Sequence, residues 1–330
     1  MNDLAQTLHD LTNGEALPKR RALAKAITLM ESSRDDHRDQ ADQLLTQLLP
    51  HTGKSMRIGL SGVPGVGKST LIENLGIWLI NQGHKVAVLA VDPSSSVSGG
   101  SILGDKTRME MLSNHPAAYI RPSPSSGTLG GVAEKTRECI LLCEAAGYDI
   151  VIVETMGVGQ SETRVAGMTD MFVVMQLPNA GDDLQAIKKG IMEIADAVLI
   201  NKSDLDKNAA SKAQSFIESA FHLLGGHKSS MTAVEKWHPK ALCLSALSGN
   251  GVSEFWSVVS DFKQLQLKNG EWNNRRQSQS LKWLQELIQT GLKMAFIQNP
   301  KVASHLPSLE QDVLNGRIAA STAARQLLAL

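Results

Sequence analysis

The sequence predicts an α/β fold built on a mostly parallel central sheet, with an N-terminal helical cap and a C-terminal helical extension. Between residues 56 and about 267, short apolar runs of strand character alternate with stretches of helical spacing, the pattern of a parallel sheet with crossover helices. Outside that span the apolar residues recur at three and four, as on helices. The third observation is Gly62-Val63-Pro64-Gly65-Val66-Gly67-Lys68-Ser69-Thr70, which follows a strand-like run at 56–60 and precedes a helical pattern at 71–80. G-x-x-x-x-G-K-[ST] between strand and helix is a phosphate-binding P-loop. Its glycines let backbone N–H groups turn around an anion, and the following helix adds unpaired donors. Lys68 is expected to reach the β- and γ-phosphates, and the Ser69 hydroxyl to hold Mg²⁺. The competing reading, a glycine-rich turn that merely links strand to helix, is outweighed by the flanking context.

Composition narrows the class. The chain has 330 residues, 42% hydrophobic, with 33 basic and 33 acidic side chains. That is ample for a core domain with additions, and a pI near 7.1 offers no bulk basic field for nucleic acid or an anionic membrane. Cys139, Cys143 and Cys243 form no even disulfide framework, which suits a reducing compartment. Cys139 and Cys143 lie four apart in a helical stretch and read as buried thiols rather than a metal pair. The N-terminus lacks the pattern of a signal or transit peptide and no apolar run approaches a membrane span. A cytoplasmic protein is expected.

In chain order, residues 1–50 form the helical cap. Leu4, Leu8 and Leu11 share one face; Pro18 can open a second helix with Leu23, Ala26, Ile27 and Met30; Leu44, Leu45, Leu48 and Leu49 make a third stripe before Pro50. The core spans 51–267, with strands expected at 56–60, 85–91, 118–121, 149–153, 171–177, 197–200 and 241–244 and a helix at 132–147. Ligands of such sheets bind at the carboxyl ends of the strands. Asp92, Glu154, Asn201 and Ser245 all fall there, on the P-loop's edge. Residues 268–330 return to helical spacing, with Leu281, Leu284, Leu287, Ile288, Leu292 and Phe296 in one stripe. That stripe packs either within the chain or on a second copy as a two-fold arm.

Asn201-Lys202-Ser203-Asp204 ends a buried strand. A carboxylate at Asp204 can accept from N1–H and the N2 amine of guanine. Adenine offers neither donor, a mismatch that polar pockets reject by as much as ~10⁴. The Lys202 stem can lie along the base, and Ser245-Ala246-Leu247 is placed for backbone donation to O6. GTP and GDP are therefore the expected ligands, with Mg²⁺. Glu154 stands where nucleotidases carry an acid, either holding Mg²⁺ through water or orienting the attacking water. The Gly157 N–H can donate to the γ-phosphate.

The loops add a resemblance. V-D-P-S-S from Val91, G-G-S-I-L-G-D-K-T-R-M ending at Met109, P-S-S-G-T-L-G-G from Pro124, E-T-M-G-V-G-Q-S-E from Glu154 and G-D-D-L-Q-A-I-K-K-G from Gly181 together resemble the MeaB/ArgK family. Members are P-loop GTPases of the SIMIBI class that act as chaperones of adenosylcobalamin-dependent methylmalonyl-CoA mutase. The resemblance implies that Asp92, Asp105 and Glu154 surround the magnesium site. It places 105–108 in switch I, 154–162 in switch II and 176–189 in a third switch that meets the mutase, where Lys188 is the first residue to test. It also makes 268–330 a homodimer arm. The family usually has Gly where Asn179 and Ala186 stand, which bears on the partner's identity more than on GTP hydrolysis. Two other classes fit less well. A kinase linked to arginine and ornithine transport rarely needs N-K-S-D, and a metal-insertion GTPase of the urease or hydrogenase type carries metal-ligand clusters that this sequence lacks.

Overall fold

The computed structural model describes residues 2–32, 34–91, 108–121, 129–155, 161–178, 189–225 and 235–330. Asp92, Asp105, Gly157, Asn179, Ala186 and Lys188 lie outside these residues.

Seven strands form one sheet: β1 (Met56–Gly62), β2 (Val86–Val91), β3 (Ala118–Arg121), β4 (Ile150–Thr155), β5 (Met171–Gln176), β6 (Ala197–Ile200) and β7 (Lys240–Cys243). Their order is β3-β2-β4-β1-β5-β6-β7, and every neighbouring pair is parallel. Strands β4, β5 and β6 are buried throughout, which is why they read in sequence as continuous apolar runs rather than as alternation. The P-loop strand β1 sits between β4 and β5, and chain order reverses on either side of it, the place where such sheets open a ligand crevice.

Helices cover both faces. One face carries Val151, Val153, Phe172, Val174 and Val198 and packs against α1 (Asn2–Asn13), α2 (Ala16–Glu31), α3 (Asp35–Leu48), the helix α6 (Leu129–Ala145) and α9 (Lys207–Gly225). The expected N-terminal cap is thus part of one continuous core. The other face carries Ile58, Leu60, Ile152, Val173 and Leu199 under α4 (Lys68–Asn81), the short α5 (Glu110–Asn114) and α10 (Val252–Lys268). Two shorter helices, α7 (Ser161–Ala166) and α8 (Lys189–Ile194), lead into β5 and β6.

Boundaries move by a few residues for local reasons. Helix α4 begins at Lys68 rather than 71, because Leu71 N–H already bonds Gly67 O at 2.9 Å. Helix α6 covers Leu129–Ala145 rather than 132–147, since Gly147 has φ +85° and its N–H closes back on Glu144 O. Pro18 lies inside the first turn of α2, where no intrahelical N–H bond is lost.

The amino ends of the strands are tied by charge. Glu144 on α6 takes a bidentate pair from Arg57 at 2.7 and 2.9 Å, the Gly53 N–H at 2.7 Å and the Ser55 hydroxyl. Burial alone would raise the Glu144 carboxyl, but these donors outweigh it and hold it below the usual range. Asp170 accepts from the Arg57 N–H at 2.8 Å, and Asp149 from the Lys85 N–H at 2.7 Å. Cys139 and Cys143 are buried thiols, as expected, and burial pushes both well up.

The chain divides into two compact units, Met1–Asn273 and Asn274–Leu330. The second holds most of α11 (Glu271–Gln298), then α12 (Pro300–Leu314) and α13 (Ala320–Leu328). Asn299 caps α12 by accepting the Lys301 N–H at 3.0 Å. Val302, Ala323 and Leu327 are buried in this unit, whereas Leu281, Leu284, Ile288 and Leu292 on α11 are exposed. Among the described residues no helix is long and apolar enough to cross a membrane.

Candidate functional site

The site is built at the carboxyl ends of β1, β4, β5, β6 and β7. β1 ends at Gly62 and α4 starts at Lys68, so the intervening loop carries the first N–H groups of α4 on its inner side. These have no intrahelical acceptor. Two glycines shape the loop. Gly67 has φ +99°, and a Cβ there would lie 2.5 Å from Asn201 Nδ2; at Gly62, a Cβ would lie 2.6 Å from Met175 O. The Lys68 ammonium donates to Gly62 O at 2.7 Å and Val63 O at 3.4 Å, so it arches over its own loop. It is only 8% exposed. Burial lowers its pKa, the charge of Glu154 opposes that, and Arg108 adds to it. A buried cation curled onto carbonyls beside a second cation is a cradle for a polyanion, and the loop fits a nucleotide phosphate on that ground.

Asn201 joins this loop to the rest of the crevice. It is buried at the end of β6, its Nδ2 donates to Val66 O at 2.7 Å, and its Oδ1 accepts from the Ala246 N–H at 2.8 Å. Lys202 has φ +58°, the left-handed region that a non-glycine residue enters only when held there. Its Nζ donates to Gly65 O at 3.1 Å, which lays the side chain across the outer rim of the P-loop. Asp204 is exposed at the mouth of the crevice.

The 245–247 turn is partly committed internally. Ser245 N–H bonds Asn250 O at 2.9 Å, and Ala246 N–H is taken by Asn201. Of the three expected O6 donors, this leaves Leu247, whose side chain is 82% exposed. Asn74, one turn beyond Thr70 on α4, donates to Ala246 O at 2.6 Å. Sequence reasoning missed it, although its spacing from Thr70 places it on the loop side of the helix.

Glu154 is buried near the end of β4 and lies level with Leu60 of β1 and Ala90 of β2. With the half-buried Ser69 in the first turn of α4, it supplies the acid and hydroxyl that suit a hard divalent cation. Among the described residues no group of three or more acids, histidines or cysteines forms a metal site by itself. Val63, Pro64 and Gly65 are exposed at the loop tip, Val66 is buried beneath it, and Thr70 is half-buried in the first turn.

Glu73 also escaped notice. One turn on from Ser69, it accepts from the Met111 N–H at 2.8 Å and the Leu112 N–H at 3.3 Å, caps α5, and so ties the segment after Arg108 to the P-loop helix.

Known proteins match this whole arrangement. A Caulobacter vibrioides protein called a putative GTPase is 49% identical over 327 residues, covering 99% of this chain and 97% of the relative. The mouse mitochondrial methylmalonic aciduria type A homolog is 46% identical, covering 99% of this chain and 80% of its own. The crystal structure of a protein titled LAO/AO transport system kinase superposes with a TM-score of 0.77 at 38% identity, covering 99% of this chain and 97% of that one. The model of the methylmalonyl Co-A mutase-associated GTPase MeaB matches residues 23–301. With that match laid over a seven-stranded parallel sheet and a P-loop at its centre, this chain belongs to the MeaB family of GTPases.

Proposed function

We propose that this GTPase is a chaperone that gates adenosylcobalamin loading, protection and reactivation of methylmalonyl-CoA mutase or a related acyl-CoA mutase. The observation that supports a switch rather than a metabolic role is Asn201. One buried carboxamide holds the P-loop through Val66 and the base-side turn through Ala246. Both ends of a nucleotide are thereby read by one rigid element. The mutase half rests on the family description and on the relative named for methylmalonic aciduria.

In this reading GTP phosphates lie in the loop of Gly62, Val63, Pro64, Gly65, Val66 and Gly67, with the N–H groups of Lys68, Ser69 and Thr70 behind them. Lys68 exchanges the Gly62 and Val63 carbonyls for β- and γ-phosphate oxygens, so the buried charge becomes better paired on binding. Ser69 and Glu154 hold Mg²⁺ together with Asp92 and Asp105. The ion, when bound, neutralises charge that develops on the phosphates. The Gly157 N–H donates to the γ-phosphate, and Asp105 and Lys188 complete the catalytic set. Asp204 accepts N1–H and N2–H of guanine, Lys202 covers the base, and the Leu247 N–H, beside Ser245 and Ala246, donates to O6. The exposed position of Asp204 leaves it open to the base. A cytoplasmic setting agrees with three free thiols. The exposed α11 stripe supports a homodimer.

The test is direct. The purified protein is run on gel filtration with an adenosylcobalamin-dependent acyl-CoA mutase, with GDP and then with a non-hydrolysable GTP analogue, and cofactor loading is followed spectroscopically. A complex and loading that differ between the two nucleotides are expected. Absence of any complex and of any nucleotide effect would overturn the proposal. In a parallel reaction with GTP itself, the released phosphate is expected in water. Its appearance on arginine or ornithine would favour the kinase reading linked to amino-acid transport.

A further inference from the structure

Gln176, the last residue of β5, is 4% exposed, yet among the described residues neither its side-chain nitrogen nor its oxygen has a hydrogen-bond partner. Leaving both ends of a buried amide unpaired is among the larger single costs a fold carries. The preceding residues are Val173, Val174 and Met175, so a methionine or leucine would continue the run with no such cost.

Its placement is not arbitrary. Met175 is in register with Gly62, which sets Gln176 beside Val63, the second residue of the P-loop. Its main-chain oxygen accepts the Asn201 N–H at 2.8 Å, and Asn201 is the clamp on Val66 and Ala246. Its side chain shares a sheet face with Phe172 and Val174, by the alternation of the strand. On that face the neighbouring hydroxyls of Ser61 and Thr155 pair with each other at 3.0 Å. The backbone of Gln176 is therefore fixed to the nucleotide clamp while its amide waits for a partner.

We propose that Gln176 is a positioning residue for nucleotide: its amide, unpaired among the described residues, becomes hydrogen-bonded when nucleotide is bound. Part of the binding free energy is then relief of this buried mismatch, and a hydrocarbon at 176 removes that part. The proposal rests on nucleotide binding at the P-loop and is independent of any mutase.

The experiment compares wild type with Gln176→Met and Gln176→Leu, measuring Tm without nucleotide, with GDP·Mg²⁺ and with a non-hydrolysable GTP analogue, and Kd for both nucleotides. A nucleotide-induced rise in wild-type Tm is the control; without it the GTP site itself fails. The expected result has opposite signs. Nucleotide-free Tm stays level or rises by about 2–4 °C, while Kd for at least one nucleotide weakens about ten-fold, or about 1.4 kcal/mol. Equal shifts in all three states would mean an amide held by water or packing, and would overturn the proposal. So would variants that no longer fold without nucleotide, because an unpaired amide has no native bond to lose.

Discussion

Lys68 illustrates how much one residue decides. Its ammonium is buried and held at 2.7 Å by Gly62 O, an arrangement in which a ligand competes with a carbonyl rather than with bulk water. Lys68→Ala is expected to reduce GTP turnover by about 10²–10³-fold, the scale for losing one preorganised charged donor. The fold should lose only about 1 kcal/mol, the net value of one hydrogen bond. Phosphate release and a denaturant melt together check this; retained turnover would remove Lys68 from the phosphate site. The P-loop and N-K-S-D were legible in sequence because each is a local string with a local mechanism. Gln176 entered only as the first residue of the third switch that the resemblance implies, and its buried amide was not legible, since a polar residue ending an apolar run reads simply as a strand end.

At the scale of elements, the strands were legible because buried parallel strands leave continuous apolar runs, and their ends fall within two residues of those expected; the helix ends of α4 and α6 moved where a backbone hydrogen bond and a positive-φ glycine intervened. The network that anchors their amino ends was invisible. Arg57 and Glu144 lie 87 positions apart, and no spacing rule connects them. This pair makes a prediction about acid. Because the Glu144 carboxyl is held below its ordinary value of 4.5 in the fold, the stability it contributes is fully present above that value. It is lost as pH falls through the lower, folded value. Glu144→Gln is expected to cost about 3 kcal/mol at pH 7, as when one partner of a buried ion pair is removed. It should also flatten the decline of stability below pH about 4.5. Urea melts from pH 3 to 7 check both, and parallel profiles for the two proteins would contradict the assignment.

For the whole molecule, the sequence announced helices after 267 but left open what covers their apolar stripe. Helix α11 has 28 residues, about 42 Å at 1.5 Å per residue. Leu284, Ile288 and Leu292 on it are 53%, 52% and 66% exposed. A row of this kind on a helix normally finds a partner. If the proposed homodimer forms through this row, the double change Leu284→Glu and Ile288→Glu is expected to convert it into a monomer while GTP turnover stays within about three-fold. Sedimentation velocity reads the state directly, and an unchanged dimer would place the interface elsewhere. The switch loops carry most of the family resemblance, yet they were read by motif alone, since neither apolar periodicity nor helical spacing organises such segments.

The Asn201 carboxamide has a further consequence for how this sequence can change over time. It touches Val66 and Ala246 and leaves no room for a Cβ at Gly67. A Cβ at 67 and the carboxamide at 201 thereby exclude each other, whereas Val66 and Ala246 are held only through main-chain atoms. A side chain at 67 would therefore require a shift or a smaller residue at 201, while replacing the side chain at 66 or 246 leaves both main-chain bonds in place.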